Sequence, residues 1–221
     1  MRTPRELILG TYHTHADGRW TLTAWDFSAP VHHQNLVEVP GRSELLDLST
    51  ALTDGEPTYG SRTLTATFES SEGNRLAREA RISQMVNALD GYRMNIVLPD
   101  DGEHYITGRV SVARVYNDEA HASIQVTAVC DPWRYSNTET VVNLQATAEE
   151  QEALLINLGR RGVVPLLTIT EGEVLLRFGS WSWALQAGTY ALPDIYLKYG
   201  EHAIKFSGTG AFNFKFREAV L

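Results

Sequence analysis

The sequence has a single cysteine, Cys130, in 221 residues. One thiol excludes an internal disulfide and a cysteine-based metal cage. It ends the alternating run ASIQVTAVC, where a small buried hydrophobe is its simplest role. Positive charge is also short. Lys and Arg number 19 against 27 Asp and Glu, a formal net charge of -8. Affinity for phosphate backbones comes from Lys and Arg, so a module that grips nucleic acid is set aside. No run approaches the ~18 apolar residues of a spanning helix, and no membrane insertion is expected. The opening MRTPRELILGTYHTH lacks a signal peptide's apolar stretch and small-residue cleavage site. The expectation is a protein made in a cytoplasm.

Catalytic signatures are missing too. There is no G-x-S-x-G, P-loop, H-E-x-x-H or G-x-G-x-x-G, so no enzyme and no cofactor are expected. His13 and His15 alternate along a predicted strand, with His32-His33 shortly after. Two such pairs could supply zinc, but adjacent His32 and His33 point to opposite faces of a strand, and no fixed spacing links the groups. No metal site is expected there. Asp100, Asp101 and Glu103 are oxygen-rich, yet they lack calcium-loop spacing and read as a solvated turn. Glu149, Glu150 and Glu152 read as wet surface.

What the sequence has is alternation. Leu64, Ala66 and Phe68 oppose Thr65 and Thr67. Ala122, Ile124, Val126 and Ala128 oppose His121, Ser123, Gln125 and Thr127. Period two is the mark of a half-buried antiparallel strand. Met94, Ile96 and Leu98 form another face, followed by the turn Pro99-Asp100-Asp101-Gly102 and a strand with Ile106, Val110 and Val112. Residues 93–116 therefore read as a long hairpin, with Asn117-Asp118 turning the chain back. One helix is predicted over about 74–89. Ile82, Met85, Val86 and Leu89 form its apolar stripe, Ser71 or Asn74 its cap, and Gly91 its stop. Arg78 and Glu79 flank the stripe, with stems expected on the apolar edge and charges in water.

The segment Asp131-Pro132-Trp133-Arg134-Tyr135 breaks the strand pattern. It divides a domain over 1–135 from one over 136–221. Pro132, Trp133 and Tyr135 mark the junction. The second block reads as a compact β-sandwich without a helix. Leu166, Leu167 and Ile169 lead into a Glu171-Gly172 turn and then Val174, Leu176 and Phe178. Phe212, Phe214 and Phe216 share a face, and Gly208-Thr209-Gly210 reads as a turn. Residues 147–153 read as a helical turn or a loop. Trp181, Trp183 and Leu185, at period two, suit an inward core stripe. Exposed instead, Trp181, Trp183 and Tyr190 would make a platform for stacking on sugars.

In order, these segments resemble the distal tail (Dit) proteins of siphophages and prophages. The resemblance is carried by Tyr59-Gly60-Ser61-Arg62 leading into LTATFES, and by the helix and hairpin NALDGYRMNIVLPDDGEHYITGRV. CDPWRY, LLINLGRRGVVPLLTIT and the closing YLKYGEHAIKFSGTGAFNFKF continue it. It implies a mainly β chain: an N-terminal tail-tube-like β-sandwich with one flanking helix, then a C-terminal galectin-like β-sandwich. It further implies a hexameric ring, single or as two stacked rings, in the virion tail. That ring would join the tail tube protein to the tail-tip or baseplate hub protein, hold a receptor-binding protein, and leave a lumen that DNA crosses without specific binding. The hairpin tip Pro99, Asp100, Asp101, Gly102 and Glu103, or segment 50–62, would reach a neighbouring subunit, and acidic side chains would line the lumen. The alternatives are a carbohydrate-binding protein and a tail tube subunit.

Overall fold

In the computed structural model, which describes residues 5–53 and 55–221, the chain divides into two compact units, Met1–Arg134 and Tyr135–Leu221. The fold is mainly β.

The first unit contains β1 (Ile8–Leu9), β2 (Tyr12–His13), β3 (Thr21–Phe27), β4 (Leu36–Val37), β5 (Leu46–Asp47), β6 (Arg62–Ser70), α1 (Arg75–Leu89), β7 (Arg93–Leu98), β8 (Asp101–Asn117) and β9 (Ala122–Cys130). Its main sheet runs β2-β1-β7-β8-β9-β6-β3, with antiparallel neighbours throughout. The alternation read from the sequence sets its two faces. Leu64, Ala66 and Phe68 on β6 and Ile124, Val126 and Ala128 on β9 are buried in one cluster with Val110, Ile106 and Ile96. The other face carries Thr65, Thr67, Ser111, Gln125 and Thr127. A sheet with one wet face needs this division.

The helix α1 covers the apolar face, packing on β8 and β9 through Ile82, Met85 and Leu89. Asn74 is the cap: its Oδ1 accepts from the Ala77 amide at 2.9 Å. Arg78 departs from the sequence reading. It is buried, at 1% exposure. Its guanidinium donates to the carbonyls of Gly73, Asp118 and Glu119 and to Asn117 Oδ1. The charge is thus solvated by the turn between β8 and β9 instead of by water. Four hydrogen bonds offset the desolvation.

Strand β10 (Arg134–Ser136) begins on the last residue of the first unit; the second unit continues with β11 (Thr140–Ala146), β12 (Gln151–Asn157), β13 (Leu166–Phe178), β14 (Trp181–Ala191), β15 (Gly200–Phe216) and β16 (Ala219–Val220). Its five-stranded sheet folds upon itself. Phe206 and Phe212 lie six residues apart on β15, about 20 Å in an extended strand. Their rings nevertheless meet at 5.1 Å. The strand therefore bends sharply between them. Its N-terminal half pairs with β12 and with residues 173–177 of β13, and its C-terminal half with β11 and with residues 166–169. The two halves form two layers, and Leu167, Ile169, Val174, Leu176, Phe206 and Phe214 fill the space between.

The bend corrects two turns read from the sequence. Glu171-Gly172 and Gly208-Thr209-Gly210 are interior to β13 and β15 and face one another where the register shifts. Gly208 has φ +132 and Gly172 has φ +77. A Cβ on Gly208 would overlap the Glu173 carbonyl oxygen, and one on Gly172 the Thr209 carbonyl oxygen. Only glycine permits this approach. Residues 147–153 also resolve: a short turn ends at Gln151, where β12 begins. We expect Gly208→Ala to lower stability by more than about 2 kcal/mol in urea unfolding. Gly179→Ala, with φ +56 and open space around it, should cost only about 1 kcal/mol. Equal losses would contradict the bend as the cause.

Candidate assembly surface

Between β3 and β6 the chain leaves the sheet over residues 28–61. No described residue in this excursion is buried. Among its described residues the only regular structure is the pair β4–β5, two residues each, and a bridge from His32 to Tyr59. Even so it carries large apolar side chains: Val31 at 68% exposure, Leu45 at 56% and Leu52 at 99%, with Leu36 and Val37 also exposed. A long segment without a core of its own that still presents aliphatic residues is a candidate contact surface.

Its base is fixed. Arg62, the first residue of β6, is buried; its Nε donates to the Ser28 carbonyl at 2.7 Å and its Nη1 to the Pro132 carbonyl at 3.4 Å. The guanidinium carbon lies 3.7 Å from the centre of the Phe27 ring. Tyr59 meets Trp133 edge-on, with ring centroids 5.4 Å apart. One cation thus ties the end of β3, the start of β6 and the Pro132-Trp133 segment together. Burial, with Arg134 nearby, lowers the Arg62 pKa from its ordinary value.

The hairpin tip is less solvated than its composition suggests. Leu98 pairs with Asp101, so the turn is Pro99-Asp100 alone. The Asp101 carboxylate folds back: it meets His104 Nδ1 at 2.8 Å and accepts from Arg134 Nη1 at 2.9 Å. Burial pushes its pKa up, but the bonds from His104 and Arg134 outweigh this and hold it below the ordinary value. Asp100, Gly102 and Glu103 remain exposed at the tip, with Asp100 paired to Arg5 at 3.4 Å.

The other residues singled out disperse. Arg161 Nη1 donates to the Tyr135 hydroxyl. His13 pairs with Glu6, while His15 lies in a turn beyond β2. Among the described residues no three His, Cys, Asp or Glu side chains gather. Cys130 is buried, and burial pushes its thiol up to about 11. Of the expected inward stripe, Trp183 and Leu185 pack half-buried on the core, as does Tyr190, whereas Trp181 does not. Trp181 is 54% exposed and stacks on Trp183 at 6.4 Å. Trp183 and Tyr190 stand on opposite sides of the bend, so the three rings do not form one flat platform. Sequence reasoning singled out segment 50–62, which includes Leu52, but missed the Arg62 tie and the bare apolar residues from Val31 to Leu45; their only signal was a long span between strands.

No protein-family model and no curated protein matches the sequence. Among solved structures, the chain aligns with the crystal structure of the phage SPP1 Dit protein (gp 19.1). That structure is described as a paradigm of the hub adsorption apparatus in phages that infect Gram-positive bacteria. The TM-score is 0.68 over 98% of this chain and 99% of that one, at 14% identity. A match to phosphomannose isomerase from Salmonella typhimurium covers 65% of this chain and 50% of that one, and its TM-score of 0.27 carries no argument. The class defined is an antiparallel β protein of two units with one flanking helix. Within that class the fold is Dit-like over 98% of the chain.

Asp101 yields a pH test. Its folded pKa is depressed, so its contribution is complete above the unfolded value of about 3.9 and is lost as pH falls through the folded value. Asp101→Asn should cost about 1–2 kcal/mol at pH 7 and progressively less as pH falls below the unfolded value. A loss of the same size at neutral and at acid pH, by urea unfolding, would refute the assignment.

Proposed function

We propose that this protein is a structural component of a phage tail tip. Six copies would close a ring between the tail tube and the baseplate hub, leaving a channel for DNA. The carrying observation is the Dit-like fold, aligned over 98% of one chain and 99% of the other. The residues add support of their own. A cyclic ring needs two different surfaces per subunit that meet head to tail. The excursion over 28–61 offers exposed aliphatic side chains for one of them. The free edge of β3 and the exposed tip residues Asp100, Gly102 and Glu103 are candidates for the other. Tail tube protein, hub protein and a receptor-binding protein are the partners in this reading, and the virion tail is its location.

The channel lining follows from the wet face of the first sheet. Thr65, Thr67, Ser111, Gln125 and Thr127 lie there, with Asp26 and Glu69 offset by Arg93 and Arg109. In this reading the lining is a near-neutral field of hydroxyls and amides. That differs from the carboxylate lining the net charge suggested. DNA would pass because no Lys or Arg cluster holds its phosphates.

Negative-stain microscopy with a solution mass on the purified protein, alone and with tube and hub proteins, tests the proposal. Six-fold rings of six 24.6 kDa chains are expected. A double variant, Leu45→Glu with Leu52→Glu, should stay folded by circular dichroism and fail to form rings. Unlimited stacked tubes would favour a tube subunit instead. Monomers under every condition would overturn the ring, and rings from the double variant would overturn the role of the excursion.

A further inference from the structure

A cleft of about 370 Å³ opens in the second unit where the loop after β12 meets β16. Tyr135, Tyr196, Arg161 and Arg217 line it, together with Gly162 and Val163, and no aspartate or glutamate does. The loop that carries Arg161 is firmly built. Asn157 is fully buried. Its Nδ2 donates to the carbonyls of Arg161 at 3.0 Å and Leu197 at 2.9 Å, and its Oδ1 accepts from the Gly159 amide at 2.9 Å. The Arg161 amide donates to the Ala219 carbonyl at 3.3 Å, and Val163 and Leu197 exchange two backbone hydrogen bonds. Gly159 lies so close to β16 that a Cβ there would stand 2.5 Å from the Ala219 nitrogen. The backbone on both sides of Arg161 is thus fixed, which is what a preorganised site needs. The Arg161 side chain takes no part in this framework. It is exposed, its Nη1 donates to the Tyr135 hydroxyl, and its guanidinium carbon lies 5.7 Å from the centre of that ring.

Charge at this cleft runs against the rest of the chain. The net charge is -8, and exposed arginines elsewhere find carboxylates. Arg19 meets Glu72, Arg93 meets Asp131, Arg114 meets Glu79 and Arg177 meets Glu150. Arg161 meets no carboxylate among the described residues. Arg217 Nη1 donates to the carbonyls of Ser136 and Asn137, both at 2.9 Å, and these uncharged acceptors orient its guanidinium. Two cations lining one cleft repel each other, and an anion between them reverses the sign of that interaction. A guanidinium fork matches the oxygens of a carboxylate or a phosphate. A phenol beside it adds a flat apolar face and a hydroxyl. The volume is near the lower end for ligand sites, enough for one acidic group and a short body.

We propose that this cleft is an oxyanion site. Arg161 and Arg217 take a carboxylate or phosphate group, and Tyr135 and Tyr196 take the flat body that carries it. On so acidic a chain the cleft selects by charge, admitting an acidic group that the remaining surface repels. The site lies within the second unit and needs no ring, so it stands or falls apart from the tail-tip reading.

Binding of benzoate, phenyl phosphate and benzyl alcohol to the full chain, followed by ligand-observed NMR, tests this. Both anions should bind with a Kd on the order of 1 mM at low salt, and uncharged benzyl alcohol at least ten times more weakly. Arg161→Gln, at an exposed position, should weaken both anions at least tenfold and keep its fold by circular dichroism. Arg177→Gln removes a cation of the same unit outside the cleft and should leave binding unchanged. The ratio of the two anion affinities tells a carboxylate source from a phosphate source. Gly162→Ala puts a methyl 2.2 Å from the Tyr196 Cζ and displaces that ring. It should weaken phenyl phosphate more than inorganic phosphate. Absence of anion binding, equal binding of benzyl alcohol, or unchanged binding by Arg161→Gln would overturn the site. Equal losses for the two phosphates in Gly162→Ala would overturn the role of Tyr196.

Discussion

The guanidinium of Arg62 is the contact on which the first unit's exposed half depends. Closing a loop as long as residues 28–61 costs on the order of 3 kcal/mol in chain entropy. The loop offsets none of this by burial, because no described residue in it is buried. The offset comes from its ends. β3 and β6 pair from Thr21–Glu69 to Phe27–Leu64. Arg62 then binds the Ser28 and Pro132 carbonyls and stacks on Phe27. A segment held so firmly at its base and so little along its length can adapt to a neighbour without straining the sheet. Its exposed leucines are a liability in an isolated chain and an asset in an assembly.

Much of this architecture is legible in the sequence, because its strands obey period two. Leu64, Ala66 and Phe68 against Thr65 and Thr67 fix which face of β6 is wet. The stripe Ile82, Met85 and Leu89 fixes which face of α1 is dry. What escaped depends on groups that the fold gathers from far along the chain. Arg78 looks like a surface residue until the carbonyls of Gly73, Asp118 and Glu119 surround it. Asp101 looks like a loop carboxylate until Arg134 closes on it from the far end of the unit. Glycine pairs read as turns because a turn and a bend both use positive φ. Only the pairing of β13 with β15 shows that Gly172 meets Thr209 and Gly208 meets Glu173. The candidate surface was legible in part: Asp100, Gly102 and Glu103 are exposed as read, whereas the excursion's aliphatic residues carry no periodic signal.

A shared fold at 14% identity is understandable in these terms. The backbone here is specified by alternation and by a few places where the chain must come very close to itself. Many side chains satisfy an alternating pattern. Few satisfy the bend, where any Cβ would meet a carbonyl oxygen.

The edges of the two units differ in how they discourage strand addition. The first sheet ends in β2, two residues long, and in β3, which carries Asp26. Shortness and charge both discourage indiscriminate pairing. The second sheet ends in β14, which has neither. Were both units left unguarded, a chain with this many strands would risk open-ended strand addition. Were both fully guarded, it could associate only through loops. One guarded and one bare edge keep strand addition from being indiscriminate, and in the reading proposed above a ring would then close through side-chain contacts that meet head to tail.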